Sequence, residues 1–466
     1  VGVSNDAINF LNSAIGSKAI SMRMMMTVAS LGIFVGAVYS SGLMEVARKG
    51  IFIPAMFSFN EIMYIFMAVM ITDILLLDFF NTLGLPTSTT VSIVFNLLGA
   101  AVVMSLIKIG ASDGQSFGDL VNYINTEKAI QIIIGIVMSV FIAFAVGAIV
   151  QWISRLVFTF QTEKKIKNFG AIFGAIALTA ITYFIFLKGL KGTPYYKDLK
   201  GSVEGNELYI MAASFALWLI VSYVFQAITK KTILLVVIAV GTFGLALAFS
   251  GNDLVNFIGV PMAAYHSYEA WAASGVEATL FSMEVLDKKV PAEPLLLFIS
   301  GGIMVVTLLF SKKARSVVET GISLSRQSET HEKFEPNFLS RGIVKGATQL
   351  SKYFNAIIPI SVQENIANRF KTPEIILTKD QSIDAPAFDL IRASVNLMVA
   401  GILIAIATTM KLPLSTTYVT FMVAMGASFA DKAWGRESAV YRVAGVLNVI
   451  GGWFGTALGA FIASGI

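Results

Sequence analysis

The feature that most constrains this fold is a series of apolar stretches long enough to cross a bilayer, because a spanning helix needs about 20 apolar residues. Charged residues make up 14% of the 466 residues, against about 25% in an average soluble domain. The expected fold class is therefore all-α, a polytopic membrane protein, and not a disordered chain, a coiled coil or a soluble enzyme. The predicted spans are 23–40, 62–82, 84–107, 129–157, 169–187, 207–226, 232–250, 294–310, 389–409, 412–430 and 440–465.

Residue counts exclude several kinds of site. The chain has no cysteine and two histidines, so disulfides, thiol catalysis and multi-histidine metal sites are excluded. The net charge of +5 fits Lys and Arg in cytoplasmic loops, and we expect no nucleic-acid partner. Because the chain opens at Val1 inside a motif, we expect a preceding segment, and no cleavable signal peptide is visible.

One region, 311–386, is polar and charged. We predict a cytoplasmic insertion there, a solvated linker in which 343–354 forms an amphipathic surface helix. Basic residues such as Arg155, Lys230 and Lys231 mark other cytoplasmic loops. The predicted organisation is a first membrane repeat (1–160), connecting helices (161–231), the second repeat in two parts (232–310 and 387–466), and the insertion between those parts.

Two polar patterns occur twice and in the same order. Residues 4–10 read SNDAINF and residues 251–257 read GNDLVNF, while residues 85–90 read LPTSTT and residues 412–417 read LPLSTT. Segments 1–17 and 252–266 are short, apolar and interrupted by Asn and Asp, so they are predicted to be half-helices and not continuous spans. Loop charges place corresponding spans in opposite directions, which predicts inverted-topology repeats with broken or re-entrant helices, an architecture of secondary transporters.

The Asn-Asp pattern favours a cation site. A carboxylate at the bilayer centre costs at least about 2.5–3.5 kcal/mol, and neither motif contains Lys or Arg. Carboxylate and amide oxygens suit a hard cation, so Na⁺ is the expected ion, although the same residues could also cap broken helices. The predicted Na⁺ ligands are Asn5, Asp6, Asn252 and Asp253.

The Pro-x-Ser-Thr-Thr pattern favours an oxyanion site. Proline is tolerated in a first helical turn, and the hydroxyls that follow it can cap the new helix. A helix N-terminus presents free N–H groups and a positive dipole end to an anion; packing between helices is the alternative role for these residues. The predicted phosphate ligands are Ser88, Thr89, Thr90, Ser415, Thr416, Thr417, Asn9 and Asn256.

Charge links the two motifs. A phosphate group of about −1.5 to −2 and two aspartates give about −4, which helix dipoles of about +0.5 each offset only in part. Cation-coupled anion symport follows from this imbalance. The alternatives are a proton-coupled or sulfate-type symporter and a passive oxyanion channel or exchanger. A membrane enzyme is not expected, since no nucleophile–base pair is visible.

Together, the segment 4–20, the second Asn-Asp motif and both Ser-Thr-Thr loops resemble the inorganic phosphate transporter (PiT) family. The resemblance implies a Na⁺- or H⁺-coupled phosphate symporter of inverted repeats, often a homodimer, with phosphate near the Ser-Thr-Thr loops and cations near the Asn-Asp segments. We expect the protein to lie in the lipid bilayer of the plasma (inner) membrane. That family often has His after Ser-Thr-Thr, where this chain has Val91 and Tyr418. The difference favours Na⁺ as the coupling ion.

Other charged residues in the spans are given lesser roles. Asp73 and Asp78 could assist a coupling ion or form pairs near a helix end. Asp389 is predicted to cap a helix, and Arg392 is predicted to snorkel to the membrane surface.

Overall fold

The computed structural model describes residues 1–39, 50–160, 162–188, 201, 203–287, 293–326, 335–371, 385–410, 414–431 and 438–466. Within these ranges the protein is all-helical, with two isolated β-bridges and no named strand. The predicted all-α fold class is confirmed.

The helices are α1 (Gly2–Asp6), α2 (Ile8–Ser17), α3 (Met22–Tyr39), α4 (Phe59–Leu83), α5 (Thr89–Gly110), α6 (Thr126–Phe158), α7 (Thr162–Ile181), α8 (Glu207–Thr229), α9 (Leu234–Ser274), α10 (Pro294–Phe310), α11 (Lys312–Ser325), α12 (Phe338–Ile357), α13 (Ile360–Arg369), α14 (Leu390–Thr409), α15 (Thr416–Ala430) and α16 (Ser438–Gly465).

The long apolar helices agree with most of the predicted spans. Among the described residues, eight helices are long and apolar enough to cross a membrane, and a bent pair, α10 and α11, would make a ninth. The predicted spans 23–40 and 412–430 form shorter apolar helices, α3 and α15. In the predicted span 84–107, the helix begins only at Thr89, because the preceding Pro86 segment is extended.

The two predicted half-helices behave differently. The segment 1–17 is broken at Ala7 into α1 and α2, as expected. The segment 252–266 is not a separate half-helix: it continues without a break inside α9, a helix of 41 residues that contains Pro261. At 1.5 Å per residue, α9 is about 60 Å long, roughly twice the bilayer core.

The predicted polar insertion does not lie wholly outside the helical core. Helix α11, which turns by 69° from α10, buries one face that includes Val317, Val318 and Leu324. The hydroxyl of Thr320 donates to the Gly84 carbonyl at the end of α4 (2.7 Å). The expected amphipathic surface helix exists as α12, whose Leu339 and Ile357 are exposed.

Close helix packing joins the two halves. A Cβ atom on Gly147 of α6 would lie 2.6 Å from the carbonyl oxygen of Val423 in α15, so these backbones touch. Helix α5 packs against α16 in the same manner, at Gly99 and Phe461. Small residues allow such contacts between spanning helices. Helix α5 therefore packs against α16, which follows α15, and α15 packs against α6, which follows α5.

Candidate functional site

The two Asn-Asp motifs place one aspartate each in the interior. Asp6 ends α1 at the break before α2, and Asp253 lies within α9. Both side chains are fully buried. The packing of α9 against α2 brings the motifs to the same part of the core.

The two Ser-Thr-Thr motifs begin helices, as predicted. The Ser88 hydroxyl accepts a hydrogen bond from the Val91 N–H (3.1 Å), and the Ser415 hydroxyl accepts one from the Tyr418 N–H (3.0 Å). These serines are the N-caps of α5 and α15, which leaves first-turn N–H groups at both helix starts. Leu412 and Pro413 of the second motif lie outside the described residues.

Asp6 joins the two helix starts. Its Oδ2 accepts a hydrogen bond from the Thr89 hydroxyl (2.9 Å), and its Oδ1 accepts one from the Thr417 hydroxyl (2.8 Å). Thr89 belongs to the first half of the chain and Thr417 to the second. The Asp6 carboxylate therefore accepts hydrogen bonds from both halves of the chain.

Asp253 makes the reciprocal contacts. Its Oδ1 accepts from the Thr90 hydroxyl (3.0 Å), and its Oδ2 accepts from the Thr416 hydroxyl. Amide donors from Asn256 (2.9 Å) and Asn252 (3.2 Å) also reach Oδ1. Thr89 is equivalent to Thr416 in the two motifs, and Thr90 is equivalent to Thr417. Each aspartate therefore binds the first threonine of one motif and the second threonine of the other.

The second asparagine of each motif supports the same threonines. Asn9 donates to the hydroxyl oxygens of Thr416 and Thr417 (both 3.1 Å), and Asn256 donates to that of Thr90 (2.8 Å). Thr420 donates to Asn9 Oδ1 (3.0 Å). The sequence reasoning missed Thr420, although its position one turn after Thr416 on α15 could have identified it.

The first asparagines differ from each other. Asn5 donates to Asn81 (2.8 Å) and to the Leu85 carbonyl (3.1 Å), and it accepts from the Thr87 N–H (2.8 Å). In this structure Asn5, a predicted Na⁺ ligand, uses its side-chain amide to hold the loop before α5. Nothing in the sequence pattern identified its partner Asn81.

Asn252, by contrast, has an unused acceptor. Its Oδ1 is buried without a hydrogen-bond partner. Asp253, whose Oδ1 accepts from the Asn252 amide, has only neutral donors. A buried oxygen without a donor is costly, and a cation beside Asp253 would satisfy both this oxygen and the carboxylate. Na⁺ therefore fits the donor set on the Asp253 side.

Neither aspartate has a positively charged partner. Within the described part of the chain, no Lys or Arg forms an ion pair with Asp6 or Asp253. The same residues contain no group of three or more His, Cys, Asp or Glu side chains that would hold a metal. When both carboxyl groups are ionised, the site has an excess of negative charge, since two helix N-termini offset only about half a charge each.

The other acidic residues of α4 have different surroundings. Asp73 is buried and accepts from the Ser92 hydroxyl and, at 3.3 Å, from the Asn96 amide. Asp78 is half exposed and forms an ion pair with Lys313 of α11 (2.6 Å). Of the two roles considered for Asp78, pairing near a helix end is the one that the structure contains.

A buried ionic cluster lies at the far end of α15. Asp431 accepts from Arg155 on two oxygens (2.9 and 2.7 Å), from Arg392 (2.8 Å) and from Gln151 (2.8 Å). The snorkelling role predicted for Arg392 is wrong, and Arg155 does not lie in an exposed loop, because both side chains are fully buried. Asp389 caps the start of α14 by accepting from the Arg392 N–H (3.0 Å), as expected, and also pairs with Arg155 (2.7 Å).

Comparisons with known proteins agree with this architecture. The chain is 24% identical over 280 residues to a candidate phosphate permease of Pyrococcus horikoshii, a match covering 59% of this chain and 65% of that protein. It is 24% identical over 293 residues to a similar candidate permease of Pyrococcus furiosus, with 59% and 64% covered. These matches span slightly less than two thirds of the length of either relative.

A solved structure described as a sodium-dependent phosphate transporter has the same fold, with a TM-score of 0.62 over 99% of this chain and 93% of that chain at 18% identity. The model of the phosphate transporter family matches residues 2–328, well over half of the sequence. This chain therefore belongs to the phosphate transporter family.

Proposed function

We propose that this protein is a Na⁺-coupled symporter of inorganic phosphate that works by alternating access. The observation that carries the proposal is the reciprocal network in which Asp6 and Asp253 each bind one threonine from either half of the chain. A site shared in this manner between two repeats is typical of secondary transporters. Family membership supports phosphate as the substrate.

Coupling to a cation follows from charge. Two buried carboxylates without positive partners, together with phosphate, would place about −4 in a low-dielectric site. Oxygen ligands suit Na⁺, and on the Asp253 side the unpartnered Oδ1 of Asn252 is available. We propose that Na⁺ binds at Asp6 and Asp253 first, and that its charge then permits phosphate to bind.

Phosphate binding is assigned to the two helix starts. The four threonine hydroxyls donate to carboxylates in this structure. The hydroxyl hydrogens of Ser88 and Ser415 and the first-turn N–H groups of α5 and α15 are the donors that remain. When Na⁺ binds the carboxylates, the threonine hydroxyls are released to donate to phosphate, and Asn9 and Asn256 hold them in place.

Alternating access follows from the reciprocal arrangement. Because the threonine contacts of the two aspartates are related by exchange of the halves, an inverted repeat would give two arrangements of similar energy that open to opposite sides. Ligands that contact both halves would favour interconversion of these two arrangements. We also propose that the protein acts as a homodimer in the plasma (inner) membrane.

Uptake of labelled phosphate into proteoliposomes tests the proposal. An inward Na⁺ gradient should drive accumulation, and Asp6→Asn and Asp253→Asn should each abolish it. The matched control Asp113→Asn, at an exposed position after α5, should transport normally. Normal Na⁺-dependent uptake by both site variants would reject the proposal.

The same assay separates the alternatives. Accumulation driven by a pH gradient without Na⁺ would indicate proton coupling. Strong inhibition by sulfate would indicate a broader oxyanion carrier. Flux that only equalises phosphate across the membrane would indicate a channel or exchanger.

A further inference from the structure

We propose that a phospholipid acyl chain binds in an apolar cavity directly behind the candidate site. The cavity has a volume of about 510 Å³ and is bounded by α5, α6, α15 and α16. It is separate from the polar network, and the proposal does not depend on which solute the protein transports.

The cavity has a buried floor and a mouth that faces lipid. Val91, Tyr418 and Trp453 form the floor and are nearly inaccessible. At the mouth, Phe141 of α6 is 66% exposed and Phe454 of α16 is 69% exposed. Both helices are candidate spans with most of their surface uncovered. The cavity is therefore continuous with the surface that meets the hydrocarbon of the bilayer.

The chemistry of the lining selects the occupant. Apart from Tyr418 and Trp453, every lining side chain is a hydrocarbon or thioether group, and the Trp453 Nε1–H already donates to the Pro86 carbonyl (3.1 Å). A water molecule needs two to four polar partners, and a dry apolar cavity of about 150 Å³ already takes up benzene. Protein interiors are otherwise close-packed, so a larger apolar cavity open to lipid will fill with hydrocarbon chain.

The position of the cavity links its occupant to the site. Helices α5 and α16 touch through Gly99, and α6 and α15 touch through Gly147, so each pair is tight internally. The cavity lies between the pairs. Its floor residues Val91 and Tyr418 directly follow the last threonine of each Ser-Thr-Thr motif. A bound acyl chain would therefore set the spacing of α5 and α15 behind the threonines.

Quenching of tryptophan fluorescence by brominated lipid tests the proposal. The chain has five tryptophans, and replacing Trp152, Trp218, Trp271 and Trp434 with Phe leaves only Trp453. In vesicles of phosphatidylcholine brominated on the acyl chain, at least half of the Trp453 emission should be quenched although this side chain is 3% exposed. A variant whose single tryptophan arises from Phe249→Trp, at a buried position away from the cavity, should be quenched much less.

Filling the cavity supplies the matched comparison. Ile136→Phe with Val140→Phe should reduce Trp453 quenching to the level of the Phe249→Trp control. A variant that keeps only Trp152, which is 41% exposed on α6, should be quenched with or without the filling substitutions. If Trp453 is quenched no more than the Phe249→Trp control in the protein without the filling substitutions, the proposal is overturned. Quenching that disappears as the protein-to-lipid ratio rises would assign the cavity to a second copy of the chain and also overturn it.

A second measurement needs no tryptophan substitution. Native mass spectrometry of the purified protein should show one tightly retained phospholipid that the Ile136→Phe, Val140→Phe variant lacks. Equal lipid retention by both proteins would contradict the proposal.

Discussion

Asn252 and Asn5 occupy equivalent positions in the two motifs but have different surroundings. The Asn252 Oδ1 is buried without a partner beside Asp253, whereas Asn5 holds the loop before α5 by donating to the Leu85 carbonyl and accepting from the Thr87 N–H. We expect Asn252→Ala to raise the Na⁺ concentration for half-maximal phosphate uptake by about 10-fold or more, since a contact to a charged group contributes about 1.5–3 kcal/mol.

Asn5→Ala is the comparison for that change. It removes the support of the Leu85–Thr87 loop, so we expect a lower melting temperature. Uptake assays over a range of Na⁺ concentrations and thermal unfolding of both variants would measure the difference. Equal changes in Na⁺ dependence would contradict the distinct roles of the two asparagines.

Phosphate affinity should be most sensitive to substitution of the two cap serines, Ser88 and Ser415. Ser88→Ala and Ser415→Ala each remove a cap that contributes about 1 kcal/mol to its helix and a hydroxyl donor to the anion. We expect each to weaken phosphate binding by about 10- to 100-fold, from about 1.5–3 kcal/mol per donor to a charged ligand. Equilibrium binding of labelled phosphate at saturating Na⁺ measures this, and Ser105→Ala, a buried serine bonded within α5, should bind normally. Unchanged affinity in both cap variants would contradict the assignment.

Much of the site could be predicted from residue types and their repetition. Two aspartates without a nearby Lys or Arg, duplicated together with two Ser-Thr-Thr segments, indicated one shared site, and the structure brings these residues together. The side-chain orientation of Asn5 was not predictable because it depends on Asn81, far along the chain. The role of Arg392 was mistaken because its partner Asp431 lies at the end of a different helix, α15.

Helix α15 is fixed at both ends and along its length. It carries three site threonines at its start, packs against α6 through Gly426, and ends at Asp431. A Cβ on Gly426 would clash with the Phe144 carbonyl of α6. Gly426→Ala should therefore destabilise the protein by about 1–3 kcal/mol, whereas Gly451→Ala in α16, where a Cβ has open space, should be neutral. Unfolding in mixed micelles compares the two, and an equal effect would contradict the close approach of α6 and α15.

The ionic cluster at the end of α15 should be important for stability. Asp431→Asn leaves two buried arginines with less negative charge, and breaking a buried pair costs about 3–5 kcal/mol. Asp78→Asn breaks the half-exposed pair with Lys313 and should cost at most about 1 kcal/mol. The same unfolding assay measures both variants. Similar small losses would show that Arg155 and Arg392 do not depend on Asp431.

Helix existence was predictable from apolar length, but helix continuity was not. The Asn-Asp pattern looks like a break in both halves, yet only the first copy is interrupted, at Ala7, while the second lies inside α9. Polar composition likewise placed α11 in a solvated linker. One face of α11 is apolar, and its packing against α2 and α4 determined its position.

Reciprocal pairing extends from residues to the whole molecule. Interchanging the two halves of the chain turns the threonine contacts of Asp6 into those of Asp253. Helix packing has the same symmetry, since α5 contacts α16 and α15 contacts α6. This is the pattern expected of two repeats related by a two-fold axis. The order of motifs in the sequence predicted the duplication, but only the contacts reveal that each aspartate binds threonines from both halves.

The central claim is that Na⁺ and phosphate bind interdependently in one site formed by both halves. Equilibrium binding of labelled phosphate to the purified protein, over a series of Na⁺ concentrations, tests it most directly. We predict that phosphate affinity rises at least 10-fold from Na⁺-free to saturating Na⁺, that phosphate raises Na⁺ affinity by the same factor, and that Asp6→Asn and Asp253→Asn each remove the coupling. Phosphate affinity that does not change with Na⁺, or coupling that survives in both variants, would contradict the account.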